Sequence, residues 1–138
     1  MIPPSVHTTF LAACEVRSRA YAPYSAYRVG AALCLKNNET RITGCNVENG
    51  SYGATICAER TAVCRAVAEM GAAVKFDHLV LVTHSPAPPC GMCLQVLSEF
   101  VDGDFPIYLA TPEGIQESLT LNDFLPRRFN FTPPASSS

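Results

Sequence analysis

Two short segments, each at the start of a predicted helix, constrain this chain most, because both carry cysteine. Cys57 stands two residues before Glu59, and about thirty residues further on Cys90 and Cys93 are separated by two residues. Two thiolates with this gap can bind one tetrahedral zinc ion, and a thiolate from another helix start provides a third ligand. Three protein ligands leave a position for water, as in catalytic sites, whereas four ligands are typical of structural sites. We therefore expect the fold to bring the two helix starts together around one zinc ion per chain.

Glu59 is the predicted acid of this centre. The apolar helix positions Ala62 and Val63 follow it by three and four residues, so its carboxylate lies at the head of the buried face. A buried carboxylate needs a positive partner, which a zinc ion would provide. Glu59 would then deprotonate the zinc-bound water and later protonate a leaving group. This combination, with a Pro-Cys-x-x-Cys segment, is typical of zinc deaminases.

The charge of the centre gives Arg60 a predicted role. Three thiolates on one Zn²⁺ leave about one excess negative charge, which weakens the ability of the metal to acidify water. Arg60, in the first turn of the same helix, is the best placed cation to offset this charge. The alternative is an ordinary solvent-exposed helical arginine. Taken alone, the Cys90–Cys93 pair is also compatible with a redox pair or a structural zinc knuckle.

The remaining pattern predicts the order helix, hairpin, helix, strand, helix, strand. The predicted helices cover residues 5–20, 57–70, 91–101 and 121–125, and the predicted strands cover residues 28–35, 41–47, 78–83 and 106–110. Strands joined through helices imply an α/β fold with a mixed or parallel sheet and helices on its faces. The length of 138 residues fits one domain. We expect this catalytic domain to cover residues 1–129 and residues 130–138 to form a disordered tail.

Composition excludes several other classes of protein. The formal net charge is −2, with no large basic patch, which argues against a nucleic-acid partner. No apolar run approaches the roughly 20 residues that span a bilayer, and no signal peptide is visible, so we expect a cytoplasmic protein without a membrane partner. In that compartment the seven cysteines stay reduced, which favours metal binding or catalysis over disulfides.

With these residues in view, the chain resembles the small homotetrameric cytidine deaminases over roughly residues 5–130. The motifs that carry the resemblance are Tyr24-Ser25 followed by Val29-Gly30-Ala31-Ala32, Gly44-Cys45-Asn46-Val47-Glu48-Asn49, Cys57-Ala58-Glu59-Arg60-Thr61-Ala62, Pro89-Cys90-Gly91-Met92-Cys93 and Phe124-Leu125-Pro126. The resemblance implies a three-layer α/β/α sandwich around a mixed, largely parallel sheet of about five strands. It also implies a zinc-dependent homotetramer that hydrolyses cytidine and 2'-deoxycytidine to uridine and 2'-deoxyuridine with release of ammonia, in pyrimidine salvage.

The resemblance also implies roles for further residues. Asn46 and Glu48 would bind the ribose, and Tyr52 and Ala58 would contact the substrate. Tyr27 stands where the family usually has a phenylalanine that stacks near the base, and its added hydroxyl needs a partner or water. Phe129 would approach the site of a neighbouring subunit. Leu94 stands where the family usually has arginine, which leaves more of the charge compensation to Arg60.

Two other functions remain open from the sequence. One is a zinc deaminase of another nucleoside-like substrate, such as an aminonucleoside antibiotic or a free base. The other is a zinc-stabilised binding module without activity, which would need a fourth protein ligand. Deamination of polynucleotides is disfavoured by the net charge of −2.

Overall fold

The computed structural model describes residues 2–131 and residue 133, which fold around one five-stranded sheet. The helices and strands in chain order are α1 (Pro4–Arg17), β1 (Gly30–Leu35), β2 (Arg41–Cys45), α2 (Ala58–Met70), β3 (Phe76–Val82), α3 (Gly91–Ser98), β4 (Pro106–Thr111), β5 (Gly114–Thr120) and α4 (Leu121–Phe124). One 3₁₀ turn, Tyr52–Ala54, precedes α2. The helices end close to the predicted bounds, although α1 and α3 each stop three residues early, at Arg17 and Ser98.

The strand order is β2-β1-β3-β4-β5. Only β3 and β4 are parallel, while β1 runs antiparallel to both of its neighbours and β5 runs antiparallel to β4. The predicted α/β class and the mixed sheet of five strands are therefore confirmed, but the prediction that the sheet is largely parallel is wrong. The physical reason is that two of the connections are short turns, which join antiparallel neighbours, and only the helical crossover through α3 joins a parallel pair.

Helices cover both faces of the sheet, because successive strand residues point to opposite sides. The core beneath α2 and α3 includes Ala31, Leu33, Leu81, Leu109, Ala62, Val63 and Leu97. The core beneath α1 includes Ala32, Val80, Val82, Ala110, Val6, Phe10 and Ala13. The three-layer α/β/α arrangement expected from the resemblance is thus present.

Gly44 in β2 lets α2 lie directly against the sheet. A Cβ atom at this position would come within 2.6 Å of the Ala58 carbonyl oxygen and would also collide with the backbone nitrogen of Ala62. Only glycine leaves room for this contact between two backbones. The close approach fixes the first turn of α2, and therefore Glu59, against the end of β2.

Among residues 2–131 and 133, no helix combines the length and the apolar composition that a membrane crossing requires. The predicted disordered tail, residues 130–138, falls mostly outside the described residues. The domain bounds 1–129 and that tail stay predictions.

Candidate metal centre and substrate site

The three predicted zinc ligands lie together at the starts of α2 and α3. Cys57 immediately precedes α2, Cys90 immediately precedes α3, and Cys93 lies in the first turn of α3. The Sγ atoms of Cys57 and Cys90 are 3.9 Å apart, those of Cys90 and Cys93 are 3.3 Å apart, and all three lie within 4.8 Å of one another. Three sulfurs that each lie about 2.3 Å from one tetrahedral zinc ion are separated by about 3.8 Å. The arrangement of the thiols therefore fits a zinc ion.

The sheet brings these two helix starts to one edge. Gly30 in β1 pairs with Cys45 at the end of β2 on one side and with Val82 at the end of β3 on the other. Since both neighbours run antiparallel to β1, the carboxyl ends of β2 and β3 lie at the same end of the sheet, on either side of β1. The segments that follow these ends lead to Cys57 and to Cys90. Ligand sites at the carboxyl ends of strands are common in α/β folds.

The thiols differ in acidity in the metal-free chain. Hydrogen bonding with the Cys93 thiol, helped by the neighbouring Arg60 guanidinium, lowers the pKa of Cys57 to about 5. The pKa of Cys93 is raised, because it keeps the proton that it shares with Cys57 and because it is buried. The thiolate is the form that binds a metal, so Cys57 supplies one charged ligand without further proton loss at neutral pH.

Arg60 lies at the centre and not on an open helix surface. Its Nη2 is 3.6 Å from the Sγ of Cys57 and 3.3 Å from the carbonyl oxygen of Thr55. Its Nε is buried and has no hydrogen-bond partner among the described residues. The guanidinium is thus positioned to offset negative charge on the thiolates.

Glu59 is 7% exposed, in agreement with the apolar spacing that follows it. Burial raises the pKa of its carboxyl group to about 7, and the nearby Cys57 thiolate adds to the effect, while a backbone hydrogen bond and Arg60 oppose it. A carboxyl group with a pKa near the working pH can accept and release a proton with little loss of free energy. In the metal-free chain Glu59 thus has a raised pKa, which is compatible with the predicted role of a proton carrier.

Asn46 and Glu48 lie beside this centre. Val47, between them, exchanges two backbone hydrogen bonds with Ile56, the residue before Cys57, at 2.9 and 3.0 Å. The Nδ2 of Asn46 donates to the carbonyl oxygen of Tyr27 at 2.8 Å, and its Oδ1 accepts from the backbone N–H of Val29 at 2.9 Å. The two predicted ribose-binding side chains are therefore adjacent to the predicted zinc ligands.

The carboxylate of Glu48 is held by two consecutive residues. Its Oε1 accepts from the backbone N–H groups of Tyr24 at 2.9 Å and Ser25 at 3.1 Å, and its Oε2 accepts from the hydroxyl of Ser25. These donors, the Ser25 hydroxyl foremost, hold the pKa of Glu48 below its ordinary value. Sequence reasoning assigned no role to Ser25. Its only signal was its place in the Tyr24-Ser25 motif, since contacts across more than twenty residues leave no trace in local spacing.

The other predicted site residues are arranged less closely. Tyr27 and Tyr52 are 40% and 83% exposed, so neither ring is enclosed by a single chain. Ala58 is fully buried against β2 and belongs to the core beneath α2. Phe129 is exposed, and its carbonyl oxygen accepts a hydrogen bond from Gln95 in α3 at 3.3 Å, which places it beside the helix that carries Cys93.

A mixed sheet with three clustered thiols and a buried carboxyl group at its edge is the arrangement of a zinc-dependent hydrolase. Residues 4–109 match the sequence model of the family described as "Cytidine and deoxycytidylate deaminase zinc-binding region". The chain belongs to this family, with zinc as its cofactor and the three clustered cysteines as candidate ligands.

Individual proteins agree with this placement. The cytidine deaminase of Halalkalibacterium halodurans is 43% identical over 117 residues, which are 85% of this chain and 88% of that protein. The cytidine deaminase of Sporosarcina psychrophila is 43% identical over 116 residues, which are 84% of this chain and 85% of that protein. The crystal structure of the cytidine deaminase from Burkholderia pseudomallei superposes with a TM-score of 0.81 at 38% identity, covering 89% of this chain and 98% of that one. The resemblance inferred from the motifs is confirmed.

Proposed function

We propose that this protein hydrolyses cytidine and 2'-deoxycytidine to uridine and 2'-deoxyuridine with release of ammonia. The observation that carries the proposal is that the buried Glu59 carboxyl group lies in the first turn of α2, directly after one of three clustered thiols, while the polar Asn46–Glu48 segment pairs with the residue before that thiol. The similar proteins, which are named cytidine deaminases, support the choice of substrate. Deamination adds one water molecule at C4 of the base and expels the amino group as ammonia.

Each part of the site has a proposed task in this reaction. Cys57, Cys90 and Cys93 hold the zinc ion, which when bound supplies a Lewis acid that makes water a stronger nucleophile at neutral pH. Glu59, which is buried, accepts a proton from the attacking water and donates it to the departing amino group. Arg60 offsets the excess negative charge of the thiolates.

Asn46 and Glu48 are proposed to bind the sugar, and Tyr27 to stack near the base. The backbone carbonyl oxygen of Tyr27 accepts a hydrogen bond from Nδ2 of Asn46 at 2.8 Å, so Tyr27 and the proposed sugar-binding residues belong to one structural unit. Tyr52 and Ala58 are also proposed to contact the substrate; the Tyr52 ring is largely in solvent, and the Ala58 side chain is packed in the core beneath α2.

The test follows the loss of cytidine absorbance with and without a zinc chelator, together with release of ammonia. We expect turnover of cytidine and 2'-deoxycytidine that the chelator abolishes and added zinc restores. Cytosine and an aminonucleoside serve as competing substrates. Turnover of either one at a higher kcat/KM than cytidine would replace the proposed substrate, and turnover that survives complete zinc removal would contradict the proposed chemistry.

Replacement of Glu59 by Gln isolates the proton carrier. We expect the zinc content to stay the same and kcat to fall by about 10²- to 10⁴-fold or more, because general acid–base catalysis supplies a factor of that size. Glu113→Gln, on the exposed turn between β4 and β5, is the matched control and keeps normal turnover. Near-normal kcat in the Glu59 variant would remove this residue from the proposed mechanism.

We also propose that the chain acts as a homotetramer. Tyr21 pairs with Val47, and Val47 pairs with Ile56, so their side chains point to one face. These three side chains remain 54%, 44% and 40% exposed, and an exposed apolar stripe of this kind beside a site is typical of a subunit interface. Phe129 would then reach the site of a neighbouring copy. Light scattering after gel filtration checks this proposal, and an active monomer at assay concentration would contradict it.

A cytoplasmic place in pyrimidine salvage completes the proposal. Each of the seven cysteines is a free thiol in the described residues, which suits a reducing compartment. Separation of cell lysate into cytoplasmic and other fractions, followed by the deaminase assay, checks the location.

A further inference from the structure

Ser25 lies at the centre of the contacts that hold Glu48. Its backbone N–H donates to Oε1 of the carboxylate at 3.1 Å and its hydroxyl donates to Oε2. The same hydroxyl oxygen accepts the backbone N–H of Tyr27 at 3.0 Å. Because a hydroxyl group has one proton, and its oxygen is engaged by Tyr27 on one side, that proton is directed at Glu48. The orientation of the hydroxyl group is therefore fixed.

Counting hydrogen-bond positions shows what this contact leaves free. An ionised carboxylate has about four lone-pair positions. Two on Oε1 of Glu48 are filled by Tyr24 and Ser25, and one on Oε2 is filled by the Ser25 hydroxyl. One acceptor position on Oε2 remains. Glu48 can thus accept from one further donor, in a direction that Ser25 determines.

Asn46 presents the complementary group. Its Oδ1 accepts from Val29, and one N–H of Nδ2 donates to Tyr27, which leaves the second N–H of Nδ2 without a partner among residues 2–131 and 133. A sugar hydroxyl both donates and accepts. One hydroxyl group can therefore donate to Glu48 and accept from Asn46, provided that both side chains keep these orientations.

The loop that carries Ser25 depends on such fixed contacts. Ala26, directly after Ser25, has a φ of 59°, in the left-handed region that residues other than glycine seldom adopt. Its backbone N–H donates to the carbonyl oxygen of Ala22 at 3.0 Å. A backbone held in this conformation persists only where neighbouring contacts determine it. The tether between Ser25 and Glu48 is one such contact.

We propose that Ser25 is a positioning residue for sugar recognition: its hydroxyl orients the Glu48 carboxylate so that a single acceptor position faces a hydroxyl group of the nucleoside. This inference rests on the proposed function, since it deepens the binding of the sugar at the same site. Ser25 acts through Glu48 and takes no part in bond breaking. Its loss consequently affects substrate binding and leaves the chemical step intact.

The test compares Ser25→Ala with Ser25→Thr, on cytidine and on 2',3'-dideoxycytidine, which lacks both ring hydroxyls. For Ser25→Ala we expect KM for cytidine to rise about tenfold, equivalent to about 1.4 kcal/mol, with kcat within about twofold of the wild type. KM for dideoxycytidine should stay within about twofold. Ser25→Thr keeps a hydroxyl group, so its KM for cytidine should lie close to the wild-type value. A merely structural role would raise KM for both nucleosides alike.

A double-mutant cycle with Glu48→Gln tests the route of the effect. If Ser25 acts through Glu48, then adding Ser25→Ala to the Glu48→Gln variant changes KM for cytidine less than about twofold. Ser18→Ala, at the end of α1, is the matched control, because the one hydrogen bond of its hydroxyl group within the described part of the chain goes to the backbone carbonyl oxygen of Glu15 in the same helix. Zinc content and the urea midpoint of each variant report whether the fold is kept.

The outcomes separate this inference from the function on which it rests. An active Ser25→Ala variant with an unchanged ratio of KM values for the two nucleosides overturns the inference alone. Full additivity in the double-mutant cycle also overturns it, because Ser25 would then act by another route. A wild-type protein that turns over no cytidine nucleoside overturns the proposed function and this inference together.

Discussion

Replacement of Glu59 by Gln should change how the stability of the zinc-free protein depends on pH. Glu59 is 7% exposed, and burial raises its pKa from 4.5 to about 7 in the folded chain. The folded state therefore holds this proton more tightly than the unfolded state does. Since stability falls with pH wherever the folded state binds more protons, the free energy of unfolding declines from about pH 4.5 and levels off above about pH 7.

The size of the effect follows from the shift in pKa. A difference of about 2.5 units corresponds to about 3 kcal/mol in total, at about 1.4 kcal/mol per unit, most of which falls between pH 5 and pH 8. Gln cannot ionise, so the variant lacks this decline. The free energy of unfolding of Glu59→Gln minus that of the wild type should therefore grow by about 2–3 kcal/mol between pH 5 and pH 8. The growth of this difference between pH 5 and pH 8 is the quantity to measure. Loss of the acid hydroxyl group changes the difference by the same amount at both pH values, so that effect cancels.

Urea unfolding followed by circular dichroism, after treatment with a chelator, provides the assay. Glu113→Gln is the control, since that exposed side chain should leave the pH dependence unchanged. When zinc is added back, the difference in free energy of unfolding between Glu59→Gln and the wild type should depend less on pH, because a nearby cation favours the ionised carboxylate. A difference between variant and wild type that stays constant from pH 5 to pH 8 would refute a raised pKa for a buried Glu59.

Three further predictions concern the same edge of the sheet. Cys57→Ser should weaken zinc binding by more than about 100-fold, since loss of residues that only support a ligand already costs about 10–100-fold. Atomic absorption of the dialysed protein checks this. Cys64→Ser, at an exposed position of the same helix, is the control and should retain zinc. Arg60→Gln should weaken zinc binding by about 10–100-fold. Arg60→Lys should recover part of the loss, because it keeps the charge without the planar donor group. Equal zinc affinity of the wild type and both variants would contradict charge compensation by Arg60. Gly44→Ala should lower the free energy of unfolding by about 2–3 kcal/mol, because its Cβ collides with the backbone of α2, whereas Gly53→Ala, which meets nothing within 4 Å, should change it by less than about 0.5 kcal/mol.

The pairing of Cys90 with Cys93 was predictable because local spacing determines it, whereas no local spacing places Cys57, 33 residues before Cys90, beside them. A gap of two residues places Cys90 and Cys93 at one helix start, and the same helix-start signal applies to Cys57. The spacing of apolar residues also predicted the burial of Glu59, since helix periodicity fixes which side of α2 faces the sheet. Each of these predictions depends on residues within one helical turn.

The strand directions and β5 were not predictable in the same way. The sequence of β5, Gly-Ile-Gln-Glu-Ser-Leu-Thr, shows neither a continuous apolar run nor a clear alternation, and three of its seven side chains are exposed. It forms a strand because it turns back along β4 through the Thr111–Gly114 pair. Pairing with a neighbour outweighs intrinsic strand preference at such an edge. Strand direction likewise depends on connections between distant segments.

The contacts of Glu48 show the same limit at the site. The residues of this region were recognisable by their motifs, but the donors that hold the carboxylate come from Tyr24 and Ser25, more than twenty residues earlier. No local period links those positions. The sequence therefore predicted which residues belong to the site, but it did not predict which residue orients the Glu48 side chain.

Leu94 is one reason for proposing that Arg60 alone carries the charge compensation at the centre. The resemblance implies an arginine at this position, but here Leu94 is 5% exposed and packs in the core beneath α2 and α3. A cation there would require an ion pair inside an apolar cluster. Arg60, with Nη2 at 3.6 Å from the Cys57 sulfur, lies on the side of the centre where the excess negative charge arises. With Arg60 included, one Zn²⁺, three thiolates and the guanidinium would carry no net charge, and an ionised Glu59 would bring the total to about −1. A proton passed from water to Glu59 would move this negative charge within the site and leave the total unchanged, which a poorly solvated environment tolerates best.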